Sequence, residues 1–399
     1  MTRSSLCSLP RTASFSAVTA LILLGVSGSA LASEGYKTRQ SPVGAFGGEI
    51  AAPGDNDGFF GTAIMTMVSI NKVADGNGDD ITLPAGTVAL PTRTTNAALP
   101  PDGTYKLNVP AGAIAFKQTQ TQVNLLGGYL TESTYNGGRM AFAVNLPLIL
   151  ISRTVSATQP SGTVSPVPAA PLPSTAIGAV NAIAQAANQR VQNGVAGFNN
   201  INNLNVSGLG DAELSAVWVR HDGQLKVAAG ASLFVPTGQY DKNRGPNPGF
   251  GNFYTLRPGV ALTYALNPDK TASGWDSGVT VAGRLSYGIN TSNLETDYRS
   301  GDFVYTELGV VKVSGDWAFG ANLLAIQQTT DDSGSGTVTD KGLGPVNAAA
   351  RYKNYGFGPF LSYKLPGKDA GFNLHYTRNF GSENAQVVEA LQVRFIKAW

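Results

Sequence analysis

Hydrophobic and polar side chains alternate along much of the second half of this chain, with a period of two residues. Between positions 253 and 266, Leu256, Leu262 and Tyr264 share one face of an extended strand, while Arg257 and Thr263 share the other. Successive side chains of a β-strand point to opposite faces, so each such stretch has one apolar and one polar face. These runs exceed the ~5–6 residues of an ordinary soluble strand and suit the ~9–11 that cross a bilayer at a tilt.

The same alternation, interrupted by turn residues, predicts about twelve strands arranged as antiparallel hairpins. Lipid outside and a wet lumen inside would account for the two faces, which predicts an all-β, up-and-down transmembrane β-barrel over residues 58–399. The predicted strands cover residues 58–72, 113–131, 138–152, 212–220, 224–235, 252–266, 277–290, 302–313, 317–328, 346–364, 371–379 and 387–399.

Long and short connections alternate between these strands. A barrel with an even number of strands and both chain ends in the periplasm has short periplasmic turns and long external loops. Starting the first strand outward places every long connection outside, and the residues at 222–223, 314–316 and 366–369 have tight-turn chemistry. The predicted external loops are 73–112, 153–211, 236–251, 291–301, 329–345 and, marginally, 380–386.

The first 32 residues have the pattern of a secretory signal peptide. Arg3 and Arg11 carry the charges, an apolar run of about 12 residues follows, and the small-x-small sequence ALA precedes the expected cleavage after Ala32. The apolar run is shorter than the ~20 residues of a spanning helix, so export to the bacterial outer membrane is expected. Residues 33–57 are Gly-rich and polar, and they are expected to form either a periplasmic tail or a plug inside the barrel.

Composition excludes two function classes and supports the barrel. Removing residues 1–32 leaves 28 − 2 = 26 basic and 26 acidic residues, so no basic face for a nucleic acid is expected. Cys7 is the only cysteine and lies in the predicted signal peptide, which argues against disulfides and thiolate metal sites. Charged residues form 14% of the chain, below the ~25% of soluble domains. The 48 glycines among 399 residues are a larger share than the usual ~7%.

One connection is too long and too varied in composition for a simple loop. Residues 159–173 are rich in Pro, Ser and Ala, and residues 176–198 are Ala-rich without an internal Pro, which predicts a short helix within the 153–211 loop. Long loops are usually either functional or disordered. The insertion is therefore expected to be either a mobile external loop or a helical lid or plug over the lumen.

Candidate catalytic and metal-binding groups are sparse. His221 lies in a predicted tight turn and His375 lies in the middle of a strand, on its lumen-facing side. An outer-membrane hydrolase would need a lipid-facing Ser-His-Asn arrangement, so this class is the least favoured one. The acidic loop at 331–336 lacks the twelfth-position Glu of a calcium-binding hand. No catalytic residue, cofactor or metal site is expected, and the protein is not expected to be an enzyme.

Three sequence runs in the second half resemble a known family. The runs SGLGDA at 207–212, VPTGQYD at 235–241 and LRPG at 256–259 resemble the GxGD opening, PTGxYD turn and later Pro-bearing strand of the outer-membrane family associated with the meta pathway of phenol degradation. The resemblance covers residues 200–399 and departs from the family pattern at the end, where Trp399 replaces the usual Phe. It implies an outer-membrane barrel, with uptake of hydrophobic or aromatic solutes as the suggested role.

We therefore expect a monomeric channel in outer-membrane lipid that admits small hydrophobic or aromatic molecules by passive diffusion through a narrow lumen. The alternatives are a general small-solute porin and a barrel whose long loops serve contact with a surface or partner. Gln118, Gln120, Gln122, Asn124 and Glu213 are assigned to the inner face by register, and in a small barrel such polar groups can also simply fill space. The candidate lumen-lining residues are Lys226, Phe234, Phe253, Arg257, Arg284, Tyr305, Glu307, Asn322, His375 and Arg394.

Overall fold

The computed structural model describes most of the predicted barrel. The predicted signal peptide and most of residues 33–57 lie outside the described residues, with Arg39 and Asp57 as the described positions of that segment. The described residues are Arg39, 57–83, 85–242, 246–267, 276–334, 339–340, 344–345 and 351–399.

Twelve long antiparallel strands form the barrel within the described residues. Each strand pairs with the next one along the chain, and the last strand pairs with the first, so the sheet is closed. The predicted fold class and strand number are confirmed. The strands are β1 Gly58–Ala74, β2 Gly112–Tyr135, β3 Gly138–Thr158, β4 Ala212–Asp222, β5 Leu225–Val235, β6 Thr255–Ala265, β7 Val279–Asn290, β8 Phe303–Ser314, β9 Trp317–Gln328, β10 Lys353–Lys364, β11 Ala370–Glu383 and β12 Ala385–Ala398.

The two faces of the barrel wall divide as the alternation predicts. Large apolar side chains such as Leu262, Leu285 and Phe319 are about half exposed on the outer surface, at 51%, 51% and 49%. Buried polar side chains such as Gln120 and Asn145 lie on the inner face. A closed sheet leaves no unpaired strand edge in the hydrocarbon layer, so an apolar outer surface is stable there. Among the described helices, none has the length and apolar character to span a bilayer.

Tight turns join the strands at one end of the barrel, here named the turn end, and long connections join them at the other, the loop end. Gly223, Gly315 and Gly367 have φ values of 59°, 59° and 67°, a conformation that favours glycine. One predicted long connection is wrong, because Asn384 alone joins β11 to β12 at the loop end. It adopts a φ of 48°, and its backbone N–H donates to the carbonyl of Asp75.

Two predicted strand starts are also corrected. β6 begins at Thr255 rather than at 252, because the N–H of Phe253 donates to the Gly251 carbonyl within the preceding loop. β10 begins at Lys353, and residues 346–350 of the predicted strand lie outside the described residues. The Tyr352 carbonyl accepts from the Gln328 backbone N–H, but the Tyr352 N–H donates to the Gln328 side chain instead of a carbonyl, so the regular ladder starts at Lys353.

The hairpin of β2 and β3 extends beyond the other strands at the loop end. A small sheet and a long helix cover this extension, and their apolar side chains form a separate core that includes Leu107 and Val180. The long helix, α2, spans Ser174–Asn202 and follows the four-residue helix α1, Thr92–Thr95. The helix predicted at 176–198 is therefore confirmed. The small sheet contains Gly86–Ala89, Lys106–Val109 and Thr163–Ser165.

Asparagine side chains attach α2 to the edge of β3. The Asn199 amide accepts from the N–H of Ala157 (2.6 Å) and donates to its carbonyl (3.1 Å). The Asn203 amide makes the same pair of bonds with Val155, at 3.0 and 3.2 Å. These amides continue the pairing of β3 where the short strand Leu204–Leu209 stops. They satisfy an edge that would otherwise present unpaired backbone groups.

Candidate functional site

The helix α2 packs against the loop end of the barrel. Its side chains Val195 and Phe198 pack against a buried cluster on the inner wall that includes Val68, Phe116 and Val155. Three strands contribute these residues, so the C-terminal part of the helix is anchored to the barrel beside β1 to β3. The helix is therefore attached to the barrel, and its role as a lid over the lumen stays a prediction.

The ten candidate residues lie on the inner wall, and two of them lie near its ends. Lys226 is half-buried near the turn end, and Phe253 lies just before β6 at the loop end. The other eight lie on strands at positions that alternate with lipid-facing ones. The nine buried candidates are Phe234, Phe253, Arg257, Arg284, Tyr305, Glu307, Asn322, His375 and Arg394.

A buried ion pair joins Arg257 to Glu213 across the lumen side of β4 to β6. The guanidinium donates to the carboxylate at 3.0 Å, and both side chains are at most 1% exposed. Glu213 lies opposite Phe234 in the register of β4 and β5, and the Phe234 ring centroid is 4.8 Å from the Arg257 guanidinium carbon. The pairing places opposite charges in contact, and the ring face adds a cation–π contact.

A second polar group lies further around the wall. Arg284 and Glu307 are opposite each other in the register of β7 and β8. The Arg284 guanidinium lies over the Tyr305 ring at 4.7 Å, and the Tyr305 hydroxyl donates to Glu307 at 2.9 Å. The Asn322 amide donates to the same carboxylate at 3.0 Å. These contacts join Arg284, Tyr305, Glu307 and Asn322 into one buried polar group.

A ladder of amides runs along the inner face of β2. Gln120 donates to Gln122 at 3.1 Å, Gln122 donates to Asn124 at 2.8 Å, and Asn124 donates to Asn145 of β3 at 3.1 Å. The spacing of two residues follows from the strand, because it returns each side chain to the same face. These amides form a neutral polar stripe along the wall.

The last two strands contribute Arg394 and His375 to the inner wall. Arg394 donates to Gln392 at 2.5 Å, and Gln392 donates to Thr66 at 3.0 Å, which connects β12 to β1. The His375 ring packs edge-on against Phe360 with ring centroids 5.8 Å apart. Both residues therefore help to fill the lumen on this side.

The residue that sequence reasoning missed is Arg39. Its guanidinium is buried at the loop end, where it donates to Asp211 at 2.5 Å, to the Thr255 hydroxyl at 3.0 Å and to the Gly251 carbonyl at 3.3 Å. Three rings surround it, with centroids 4.4 to 5.6 Å from the guanidinium carbon: Phe234, Phe250 and Phe253. We name these six partner residues of Arg39 the guanidinium cage.

A one-residue bulge aims Asp211 into the lumen. Leu148 pairs with Leu209 and Asn145 pairs with Glu213, so the register along β3 shifts by one residue at 210–211. The Asp211 carboxylate accepts from the N–H groups of Gly238 (3.0 Å) and Phe250 (3.1 Å) as well as from Arg39. Burial raises the pKa of Asp211 above its ordinary value, and Arg39 and the two N–H donors oppose that shift.

Two glycines of the motifs lie where a Cβ would meet neighbouring atoms too closely. A Cβ on Gly238 would lie 2.6 Å from Gly249 and 2.7 Å from the Asp211 carboxylate, and a Cβ on Gly210 would lie 2.8 Å from both Ile149 and Pro147. Side chains would prevent this approach. The signal available in the sequence was the carboxylate of Asp211 at the start of a strand. It requires a positive partner, but nothing in the sequence shows which cation provides it.

Comparisons with known proteins agree with this architecture. The COG4313 outer membrane channel from Pseudomonas putida F1 is 13% identical, with a TM-score of 0.55, over 87% of this chain and 99% of that chain. The CymD monoaromatic hydrocarbon channel is 9% identical, with a TM-score of 0.36, over 86% and 89% of the two chains. The transport unit of the autotransporter AIDA-I from Escherichia coli is 9% identical, with a TM-score of 0.42, over 86% and 91%. At these identities, the first likeness shows the fold alone.

The family comparison covers nearly three quarters of the chain. No curated protein matches the chain. The model of the family described as "Putative MetA-pathway of phenol degradation" matches residues 104–395, which include eleven of the twelve barrel strands in part or in full. The chain therefore belongs to this family, and it is a β-barrel of the bacterial outer membrane.

Proposed function

We propose that this protein is a monomeric outer-membrane channel through which small hydrophobic or aromatic molecules diffuse passively. The observation that carries the proposal is the pairing of guanidinium groups with aromatic rings on the inner wall. Arg257 lies over Phe234, Arg284 over Tyr305 and Arg153 over Phe116, at 4.7 to 5.3 Å from the ring centroids. Flat ring and guanidinium groups on the inner wall suit a planar apolar solute better than a hydrated ion.

The state of the wall charges supports selection against ions. Arg257 and Glu213 neutralise each other, and Glu307 accepts from Tyr305 and Asn322. An ion that passes must leave water, and wall charges that are already paired with each other compensate this loss poorly in a narrow, low-dielectric lumen. A neutral aromatic molecule does not incur this cost. The family description and the printed name of CymD, a monoaromatic hydrocarbon channel, agree with this solute class.

The small residues beside the two arginines provide space for a solute. A recess in the wall is lined by Ala228, Gly230 and Ser232 of β5 and by Gly259 of β6, next to Arg257 and Arg284. Small side chains at these positions leave the recess unfilled beside the two arginines. We place the narrowest part of the permeation path beside this recess. Lys226, near the turn end, lies outside it.

Uptake measurements test this function. A labelled neutral aromatic, an aromatic acid and a sugar are offered at limiting concentration to cells with and without the protein, and initial rates are compared. Faster entry of the aromatic compounds alone is expected. Equal gains for all three would make the protein a general porin, and no gain for any would favour a contact role for the long loops.

A matched pair of variants separates the lumen from the outer surface. Phe234→Ala removes a buried ring from the inner wall, whereas Phe319→Ala removes a half-exposed ring from the lipid-facing surface. The selectivity for aromatic solutes is expected to change in the first variant and to stay unchanged in the second. Equal effects of the two substitutions would contradict a path along the inner-wall rings.

A further inference from the structure

The guanidinium cage has the composition of a binding site for a planar organic cation. It offers three oxygen acceptors, from Asp211, Thr255 and Gly251, and three phenylalanine rings. Phe250 and Phe253 meet edge to face with centroids 6.2 Å apart, so the aromatic wall is packed around the cation. Aromatic cages with a carboxylate are a known way to hold organic cations.

The cage residues are positioned independently of Arg39. Phe234 and Thr255 belong to barrel strands, and Asp211 is held by the N–H groups of Gly238 and Phe250. The glycine contacts at Gly210 and Gly238 leave the loop backbone little freedom around Asp211. The cage is therefore built by the barrel and its loops, and Arg39 fits into it.

Arg39 and the start of β1 lie at opposite ends of the barrel. Arg39 precedes β1, and β1 begins at the turn end, where Phe60 pairs with Ala398. Asp211 and Thr255 lie at the loop end, before or at the starts of strands that run toward the turn end. The contact therefore joins residues 172 positions apart without any strand pairing.

We propose that the guanidinium cage is a ligand site for guanidinium-bearing or similar planar organic cations, and that Arg39 is the chain's own occupant of this site. The acceptors contact both terminal nitrogens of Arg39, Nη1 and Nη2, which matches a planar fork rather than a point-like ammonium group. A free guanidinium compound would make the same contacts and would exchange with Arg39. This inference does not depend on the proposed passage of aromatic solutes.

Ligand binding to a variant with an empty cage tests the proposal. Methylguanidinium is titrated into purified Arg39→Ala protein in detergent, and binding is followed by calorimetry and by the midpoint of thermal unfolding. Saturable binding with a raised midpoint is expected. The double variant R39A/D211N should bind at least about thirtyfold more weakly, because a buried hydrogen-bonded charge partner is lost.

Matched controls separate the cage from general effects of the reagent. Methylurea has a similar shape but no charge, so it should not raise the midpoint of R39A. Arg190→Ala removes an exposed arginine of α2 and should behave as the unaltered protein, with weak apparent binding because Arg39 still fills the cage. If R39A does not fold, Arg39→Gln supports the same measurement with a neutral side chain.

Two results would overturn the proposal. One is equal methylguanidinium binding by R39A and R39A/D211N, since that binding would lie outside the cage. The other is no binding by a folded R39A or R39Q variant, which would make the cage specific to the tethered arginine. Because neither measurement involves transport, a failure of the proposed function in the uptake experiment remains a separate result.

Discussion

Two buried ion pairs share the ring of Phe234, and they differ in how the cation reaches it. Arg257 is carried by a barrel strand and pairs with Glu213 of another strand. Arg39 is carried by the segment before β1 and pairs with Asp211 at a bulge. The Phe234 centroid lies 4.8 Å from the Arg257 guanidinium and 5.6 Å from that of Arg39. One pair is part of the wall, whereas the other attaches a separate segment to it.

The difference shows what the same chemistry can do in two settings. The strand ladders place Arg257 and Glu213 together regardless of their mutual attraction, so the pair mainly satisfies charges that the barrel has already buried. The contact of Arg39 depends on the attraction itself, because no ladder holds that residue against β4 and β6. Breaking the first pair should therefore destabilise the barrel, and breaking the second should mainly empty a site.

The largest effect is expected from Arg257→Met. It leaves Glu213 buried without its cation and should lower the free energy of unfolding by about 3–5 kcal/mol. Urea unfolding of the protein in lipid vesicles, followed by tryptophan fluorescence, measures the change. The double variant R257M/E213L should recover most of the loss, because neither charge then remains. An equally unstable double variant would show that the pair's packing, and not its charge, stabilises the wall.

Phe234→Leu should have the next largest effect, because it removes the ring that both guanidinium groups share. Desolvated cation–π contacts contribute about 2 kcal/mol, and Leu retains part of the packing volume. The same urea titration measures this loss. Phe319→Leu on the lipid-facing surface is the control and should unfold close to the unaltered protein. Similar losses in the two variants would contradict a special role for the shared ring.

Arg39→Ala should lower the free energy of unfolding by a smaller amount, about 1–2 kcal/mol, because Asp211 keeps two backbone donors and can take up a proton. Removing Arg39 also removes the charge that opposes the raised pKa of Asp211. A carboxyl whose pKa is raised in the folded state favours folding most below its ordinary pKa, and this contribution is lost as the pH rises through the raised value.

The pH dependence of R39A sharpens the comparison between the two pairs. The stability of R39A should fall, relative to the unaltered protein, as the pH rises from the ordinary carboxyl value of 3.8. Thermal unfolding at a series of pH values measures the difference. R39A/D211N should lose this additional dependence. A parallel pH profile for R39A and the unaltered protein would show that Asp211 does not titrate in this range.

The smallest effect is expected at the helix α2, which packs against the loop end beside β3. Asn199→Leu removes the two bonds to the backbone of Ala157, which should weaken the attachment of α2 by about 1 kcal/mol. Faster hydrogen exchange of the helix, without a change in barrel unfolding, is the expected result. Gln189→Leu, at an exposed position of the same helix, is the control. If Asn199→Leu destabilised the whole barrel, the helix α2 and the wall would form one cooperative unit.

Much of the barrel could be predicted because its main signal is local. A period of two places Leu256, Leu262 and Tyr264 on the lipid side and Arg257 on the inner side without knowledge of any neighbour. The same reasoning located all twelve strands and the helix α2. The errors lie at strand ends, such as the single-residue connection at Asn384. There a few hydrogen bonds from other segments decide whether a residue pairs or turns.

The sequence by itself determined the fold class, the two faces of the wall and the side on which each strand-borne candidate lies, because these follow from alternation along one strand. Only the tertiary structure decided which charges meet. The Arg39–Asp211 contact spans 172 positions and depends on barrel closure and on the bulge at 210–211. A bulge shifts the register by one residue, and neither that shift nor a contact without strand pairing leaves a periodic trace in the sequence.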